Sequence, residues 1–422
     1  VNLLEDLKWR DSIAQSTDID ALAADMAKGP ISLYLGFDPT APSLHIGNLV
    51  ALVVLKRFQL AGHRPIPLVG GATGLVGDPS GRNQERTLNE EDVVAAWVER
   101  IKGQLSGFLD FHAGSNKAVM ANNLDWTAGL SAIHFLRDIG KHFSVNQMLA
   151  RDSVASRLES GGISYTEFSY QVMQAYDYLE LFRRLGCVLQ IGGSDQWGNI
   201  VAGVDLIRRV ESESVHALTI PLLTKADGSK FGKTAGGSIW LDPEMTSPYA
   251  FFQFFLNSDD RDVITLLKTF SFKSHEELSA LFAEHQSNPG ARSAHRALAQ
   301  EVTGYIHGEE TARKVEEASR ALFGQSEIRD LDRETLLGAI AELPRIEMAS
   351  GDEISVIDAM ASAALVDSKS AARRIIKEGG AYINNVKVSD EATLIKGADL
   401  LHGEAALLRK GKRDLMAVVK KA

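Results

Sequence analysis

The stretch from Ile31 to Val69 limits the fold more than any other. Ile31–Phe37 is apolar apart from Ser32 and the hydroxyl of Tyr34, and reads as a strand. Leu44–Ala61 carries a helical apolar pattern, with Ser43 as the expected N-cap and Gly62 as the stop. Pro65–Val69 reads as the next strand. Strand, crossover helix and strand make a βαβ unit, and such a unit demands a parallel sheet. Asp18–Lys28, Glu90–Asp110 and Tyr170–Arg184 read as helices, and Ala118–Ala121 and Val188–Ile191 as further short strands. The alternation predicts one doubly wound, Rossmann-like α/β domain over residues 1–220.

Beyond it the pattern changes. Residues 221–247 form an expected linking segment around the loop K-F-G-K-T, and 248–341 lack strand signals and read as a small all-α domain. Residues 342–353, with Pro344 and Gly351, read as a linker before a last domain, 354–422. That tail carries 12 Lys/Arg against 8 Asp/Glu, a net +4, in a chain of 422 residues with net charge −10, so the rest is near −14. A basic appendage on an acidic body suits nucleic-acid binding, and equally an ordinary small domain with a slight basic excess. Cys187 is the single cysteine, which excludes an internal disulfide and a cysteine-based zinc site. The longest apolar run, Leu49–Leu55, is too short to span a bilayer, and the first residues lack a signal-type apolar core. The expectation is a cytoplasmic protein without a membrane partner.

Five polar motifs sit on this frame. Thr40, His45 and Asn48 surround the start of the first crossover helix, where unpaired N–H groups and the helix dipole favour an anion. Val69–Arg86 follows a strand and offers Gly70, Gly71, Gly74 and Gly77, one carboxylate suited to an ammonium group (Asp78), and two cations, Arg82 and Arg86, at i and i+4. Lys225–Thr234 is a lysine-rich loop that could close over phosphates or simply be a solvated hairpin. Tyr170, Gln174 and Asp177 share one face of a helix whose opposite face is Val172, Ala175, Leu179 and Phe182. That polar face either meets solvent or floors a cleft. Ile191–Ile200 again follows a strand, with Gly192, Gly193 and Asp195, the last either a ribose acceptor or a helix N-cap. Three glycine-bearing loops after three strands of one domain point to a nucleotide cleft at the carboxyl edge of the sheet.

At this point the residues resemble a known family. P-S-L-H-I-G-N resembles the HIGH motif of class I aminoacyl-tRNA synthetases and K-F-G-K-T their KMSKS loop. The blocks Y-L-G-F-D-P-T-A-P-S-L-H-I-G-N, G-G-A-T-G-L-V-G-D-P-S-G-R, Y-Q-V-M-Q-A-Y-D and G-G-S-D-Q-W-G-N-I, in that order, resemble the bacterial tyrosyl-tRNA synthetases. Ser368–Asn384 resembles the core of an S4-type RNA-binding domain of α+β type. The resemblance implies tyrosine activation by ATP, Mg2+ accompanying the nucleotide with no dedicated protein metal site, and transfer of tyrosine to tRNA(Tyr) by a homodimer. It assigns Tyr34 and Asp177 to the tyrosine hydroxyl, Asp78, Tyr170 and Gln174 to its ammonium group, and Gln196 to its carboxylate. ATP falls to Gly36, Asp38, Thr40, His45, Asn48, Arg82, Arg86, Gly192, Asp195, Lys230, Lys233 and Thr234. Of these, Thr40, His45, Asn48, Lys230 and Lys233 are the expected catalytic group, and Lys369, Arg373, Arg374 and Lys377 the expected RNA contacts. Asn48 stands where the family motif has its second histidine, and Gly232 and Thr234 where it has serines. The implied reaction needs no nucleophile from the protein, because the attacking groups belong to the substrates. Tryptophan specificity, a small-molecule nucleotidylyltransferase, and an RNA-binding protein with a decayed synthetase domain are the rival readings.

Overall fold

The computed structural model describes residues 2–80, 88–151, 154–155, 157–158, 161–234, 237–341, 343–363, 365–411 and 414–421, with Lys233 and Thr234 described by backbone alone. The chain divides into two compact units, one of residues 1–242 and 259–283, the other of 243–258 and 284–422.

Among the described residues of the first unit, six strands form one sheet: β1 (Gln15–Ser16), β2 (Ser32–Phe37), β3 (Arg64–Val69), β4 (Ala121–Asn122), β5 (Cys187–Gly193) and β6 (His216–Ile220). Their order is β1-β6-β5-β2-β3-β4. All neighbours are parallel except the short β1, which pairs antiparallel with β6. From β2 the chain builds outward to β3 on one side and to β5 on the other. The strand order therefore reverses at β2, and a crevice opens beyond the carboxyl ends of β2 and β5, where open α/β sheets bind ligands. Apolar β2 and β3 are buried on both faces, as a parallel sheet requires.

The crossover helix spans Ile46–Leu60, and its N-cap is His45, not Ser43. The His45 ring accepts the Gly47 N–H, while the Ser43 hydroxyl is turned to its own neighbour's carbonyl, Leu44 O. Helix Tyr165–Leu185 begins five residues earlier than the apolar pattern suggested, at a Ser164 cap that accepts from Glu167 N–H. Among the described residues no helix is long and apolar enough to cross a membrane.

Two boundaries differ from the sequence reading. Residues 259–283 belong to the first unit, so the stretch 248–341 is not one helical body. Val263, Leu266, Leu267 and Phe270 form a buried i, i+3, i+4, i+7 stripe. The Arg57 guanidinium donates to Ser271 O and the Arg10 guanidinium to Ser271 O at 3.0 Å, tying that segment to the first unit. Within the expected linker 342–353, Arg345–Met348 is a strand of the second unit's five-stranded sheet, parallel to Asp414–Lys420. Met348 joins Val356, Met360, Ile376, Leu408, Met416 and Val418 in that unit's core. Pro344 and Gly351 bracket this strand and read alike in a linker.

Candidate active site

The crevice is a cavity of about 850 Å³ lined by Tyr34, Gly36, Asp38, Thr40, His45, Asn48, Asp78, Tyr170, Gln174, Asp177, Gly192, Asp195, Gln196 and Lys230. Residues from 34 to 230 in sequence meet here because they lie at strand ends, in the loops and hairpin beyond them, or on the helices packed at that edge. The polar face of helix Tyr165–Leu185 is therefore the floor of the cavity and not a solvent face. Tyr170 is 6% and Asp177 2% exposed.

One end is deep. The Tyr34 hydroxyl is buried without a hydrogen-bond partner among the described residues, and burial together with the charge of Asp177 holds it well above the ordinary phenol range. The Asp177 carboxylate accepts from Trp126 Nε1 at 2.8 Å and Asn123 Nδ2 at 3.0 Å. Hydrogen bonds to a charged group contribute about 1.5–3 kcal/mol each. Burial nevertheless dominates and pushes Asp177 up to about 7, with Asp38 and Glu180 adding to the rise. An unpartnered buried hydroxyl and a buried carboxylate in one pocket are complementary to a ligand that carries a hydroxyl of its own.

Beside them lies a chain of carboxylates. Asp38 accepts from the Tyr170 hydroxyl at 2.6 Å and from the Thr73 hydroxyl at 2.6 Å, and Asn123 Nδ2 also donates to Thr73 Oγ1 at 2.9 Å. Burial and the charge of Asp38 raise the Tyr170 phenol well above its ordinary value, so it stays protonated and donates. Asp78 accepts from Gln196 Nε2 at 2.6 Å and from the Ser80 N–H at 2.9 Å. Asn199 Nδ2 donates to Gln174 Oε1 at 3.1 Å. Asp38 and Asp78 give this part a negative field suited to an ammonium group.

The other end is open and built largely from backbone. Gly36, near the end of β2, and Thr40, just beyond it, are exposed. Gly47 N–H donates to His45 Nδ1 at 3.0 Å, and His45 N–H to Asn48 Oδ1 at 3.0 Å, a reciprocal cap. Lys225–Thr234 is a hairpin, with Lys225 N–H to Ser229 O at 2.8 Å, Phe231 N–H to Leu223 O at 3.1 Å, and a bridge between Thr224 and Lys230. It is pressed against the helix start: a Cβ built on Gly232, at φ +88°, would stand 2.1 Å from Ile46 Cγ2. Asp195 lines the cavity at its exposed rim, and partial desolvation there together with the charge of Asp78 raises its carboxyl above the ordinary range. No side chain caps the helix that follows, Trp197–Glu211, so Asp195 is not its N-cap.

Arg82 and Arg86 lie outside the described residues, as do the side chains of Lys233 and Thr234. Sequence reasoning missed Asn123, Trp126, Thr73 and Asn199, which hold the expected residues in place, and Trp240, which packs on His45. Asn123 had a signal, since it follows β4 at the same edge of the sheet. In the second unit, helix Lys369–Lys377 exposes all four cations expected to meet RNA, each with an acidic neighbour: Lys369 with Asp358 at 2.7 Å, Arg373 with Glu391 at 3.7 Å, Lys377 with Glu391 at 3.4 Å, and Arg374 with Glu378 at 4.0 Å. Exposed pairs of this kind are weak and exchange readily for other anions.

A reversed-order parallel sheet, a helix start beside a lysine hairpin, and a deep polar pocket define the catalytic domain of a class I tRNA synthetase. Comparison with known proteins agrees: residues 26–324 match the family of class I tRNA synthetases (W and Y), and residues 336–418 match the tyrosine–tRNA ligase SYY-like C-terminal domain. The chain is 58% identical over 419 residues to the tyrosine–tRNA ligase of Streptomyces avermitilis, covering 99% of this chain and 98% of that one. It is 55% identical over 417 residues to that of Mycobacterium tuberculosis, covering 99% and 98%. A crystal structure of a C-terminally truncated mitochondrial tyrosyl-tRNA synthetase from Aspergillus nidulans superposes with a TM-score of 0.70 at 33% identity, covering 76% of this chain and 94% of that one. The chain belongs to the tyrosine–tRNA ligase family of class I tRNA synthetases.

Proposed function

We propose that this protein activates L-tyrosine with ATP and transfers the tyrosyl group to the terminal ribose of tRNA(Tyr). The observation that carries the reading is the buried pair of Tyr34, whose hydroxyl lacks a partner, and Asp177, in the same cavity as the His45 helix start. A phenol hydroxyl donates to the ionised Asp177 carboxylate and accepts from Tyr34. Phenylalanine would leave the Tyr34 hydroxyl unpaired in a buried site, at a cost of about 1–3 kcal/mol, and would deny Asp177 a further donor.

Asp78, Tyr170 and Gln174 take the substrate's ammonium group and Gln196 orients its carboxylate. A carboxylate oxygen attacks the α-phosphorus of ATP, which enters as its magnesium complex, and the bond to pyrophosphate breaks. Thr40, His45 and the helix start receive the phosphates, with Gly36 and Gly192 allowing close backbone approach. Asp195 accepts from the ribose. Lys230, Lys233, Arg82 and Arg86 hold the departing pyrophosphate, Thr234 beside them. No protein nucleophile is needed, because positioning and charge stabilisation do the work. The ribose hydroxyl of tRNA then attacks the tyrosyl carbonyl and releases AMP.

Lys369, Arg373, Arg374 and Lys377 meet the RNA backbone by exchanging their carboxylate neighbours for phosphates. We also infer a homodimer in the cytoplasm. Exposed Ile133, Leu136, Val145, Leu149, Leu158 and Tyr165, close in sequence, support a self-association surface. ATP–pyrophosphate exchange with tyrosine, phenylalanine and tryptophan in separate reactions tests the assignment. Exchange should require tyrosine, and exchange that responds to tryptophan instead overturns it.

A further inference from the structure

We propose that Trp240 is a positioning residue for His45, transmitting the placement of the lysine hairpin to the imidazole; the inference rests on the ligase reading above. Three contacts confine that ring. The Gly47 N–H donates to Nδ1 at 3.0 Å, which puts the proton of the neutral imidazole on Nε2. Gly47 also leaves room for the ring, since a Cβ there would stand 2.8 Å from His45 Cε1. The third contact is the Trp240 indole, edge-on to the imidazole with centroids 6.0 Å apart and planes at 61°.

Main-chain pairing delivers the indole. Ile46 N–H donates to Ile239 O at 2.9 Å and Leu241 N–H to Leu44 O at 2.9 Å, so Trp240 stands opposite His45 in an antiparallel bridge. The same segment pairs back onto the end of the lysine hairpin, residues Gly232–Thr234. Gly237–Ser238 pairs with Lys233–Thr234, and Ile239 N–H donates to Gly232 O at 3.2 Å. Any shift of the hairpin therefore moves Trp240, and Trp240 bears on the ring whose Nε2 donor serves the transferring phosphate. A donor aimed at a transition state tolerates little misplacement, about 1 Å costing on the order of 100-fold.

The test is a mutant cycle on the full-length protein, reading kcat for ATP–pyrophosphate exchange and the tyrosine dissociation constant by equilibrium dialysis. Trp240→Leu should lower kcat roughly 10- to 100-fold with tyrosine affinity held within about twofold, and Trp240→Phe should recover most of the loss. In a His45→Ala background, adding Trp240→Leu should cost less than about twofold, because the group it positions is gone. Full additivity with His45→Ala overturns the proposal, as does a fall in tyrosine affinity matching the fall in kcat. If Trp240→Leu does not fold, Trp240→Phe and Trp240→His carry the same cycle: losses that vanish without His45 support the proposal, and losses that persist undiminished overturn it. A wild-type protein without tyrosine-dependent exchange overturns the ligase reading and this inference with it. An active wild type whose Trp240 effects ignore His45 overturns this inference alone.

Discussion

At the deep end of the cavity the polar groups are side chains sunk in the core: Asp177, joined by hydrogen bonds to Asn123 and Trp126, and the Tyr34 hydroxyl, which has no partner among the described residues. At the open end they are a helix start, a hairpin and exposed Lys230, held by main-chain hydrogen bonds. On the ligase reading proposed above, the difference follows from what each end has to do. Telling one apolar ring from another requires polar groups whose desolvation cost is recovered only by the right hydroxyl. Steadying charge on a transferring phosphate requires donors and cations near the nucleotide's entry, which remain hydrated until it arrives.

The largest test of this contrast is at the open end. Lys230→Ala should lower kcat for exchange about 100-fold with tyrosine affinity within about twofold, and Lys233→Ala, on the family resemblance, should do the same. Parallel loss of tyrosine binding would erase the distinction between the ends. Next is Gly232→Ala. Its φ of +88° and the 2.1 Å approach to Ile46 Cγ2 force the hairpin off the helix start. A roughly tenfold fall in kcat, again sparing tyrosine affinity, is expected in the same assay.

The deep end answers to pH. Burial pushes Asp177 up to about 7. The folded protein therefore keeps a proton that the unfolded chain releases near pH ~3.9. That contribution to stability is fully present below the unfolded value and is lost as pH rises through about 7. Thermal melts of wild type and Asp177→Asn should diverge in favour of the amide by several degrees between pH 5 and 8, on the order of the few kcal/mol that such a shift represents. Tyrosine affinity should run the opposite way and rise through that window, since the phenol donates best to the ionised carboxylate. Flat melts would mean that Asp177 is not desolvated. The smallest effect is expected for Asn48→His. Asn48 Oδ1 accepts the His45 N–H at 3.0 Å, a bond that an imidazole nitrogen can also accept. Activity within about twofold of wild type, with no new ionisation in the pH–rate profile, is the expected result.

Much of the frame was legible in the chain itself. Apolar β2 and β3 and the helix between them announce a parallel sheet, and glycines near the carboxyl ends of β2 and β5 and in the loop after β3 mark its carboxyl edge. The cap was misread because serine is the commoner capping residue, whereas His45 caps through a ring that fits only against Gly47. The strand Arg345–Met348 was hidden because four residues are too few for a period to show, and its partner lies about seventy residues on.

The order of the layers and the inventory of chemistry at each strand end were determined by the sequence alone, because alternation, turns and caps act over a few residues. Only the tertiary structure decided what those groups do together. Asp177 meets donors 51 and 54 residues away, Tyr170 meets Asp38 across 132 residues, and Trp240 meets His45 from the far arm of a hairpin. Burial, hydrogen bonding and the shift of a carboxyl group to about 7 depend on such distant neighbours, and no local pattern encodes them.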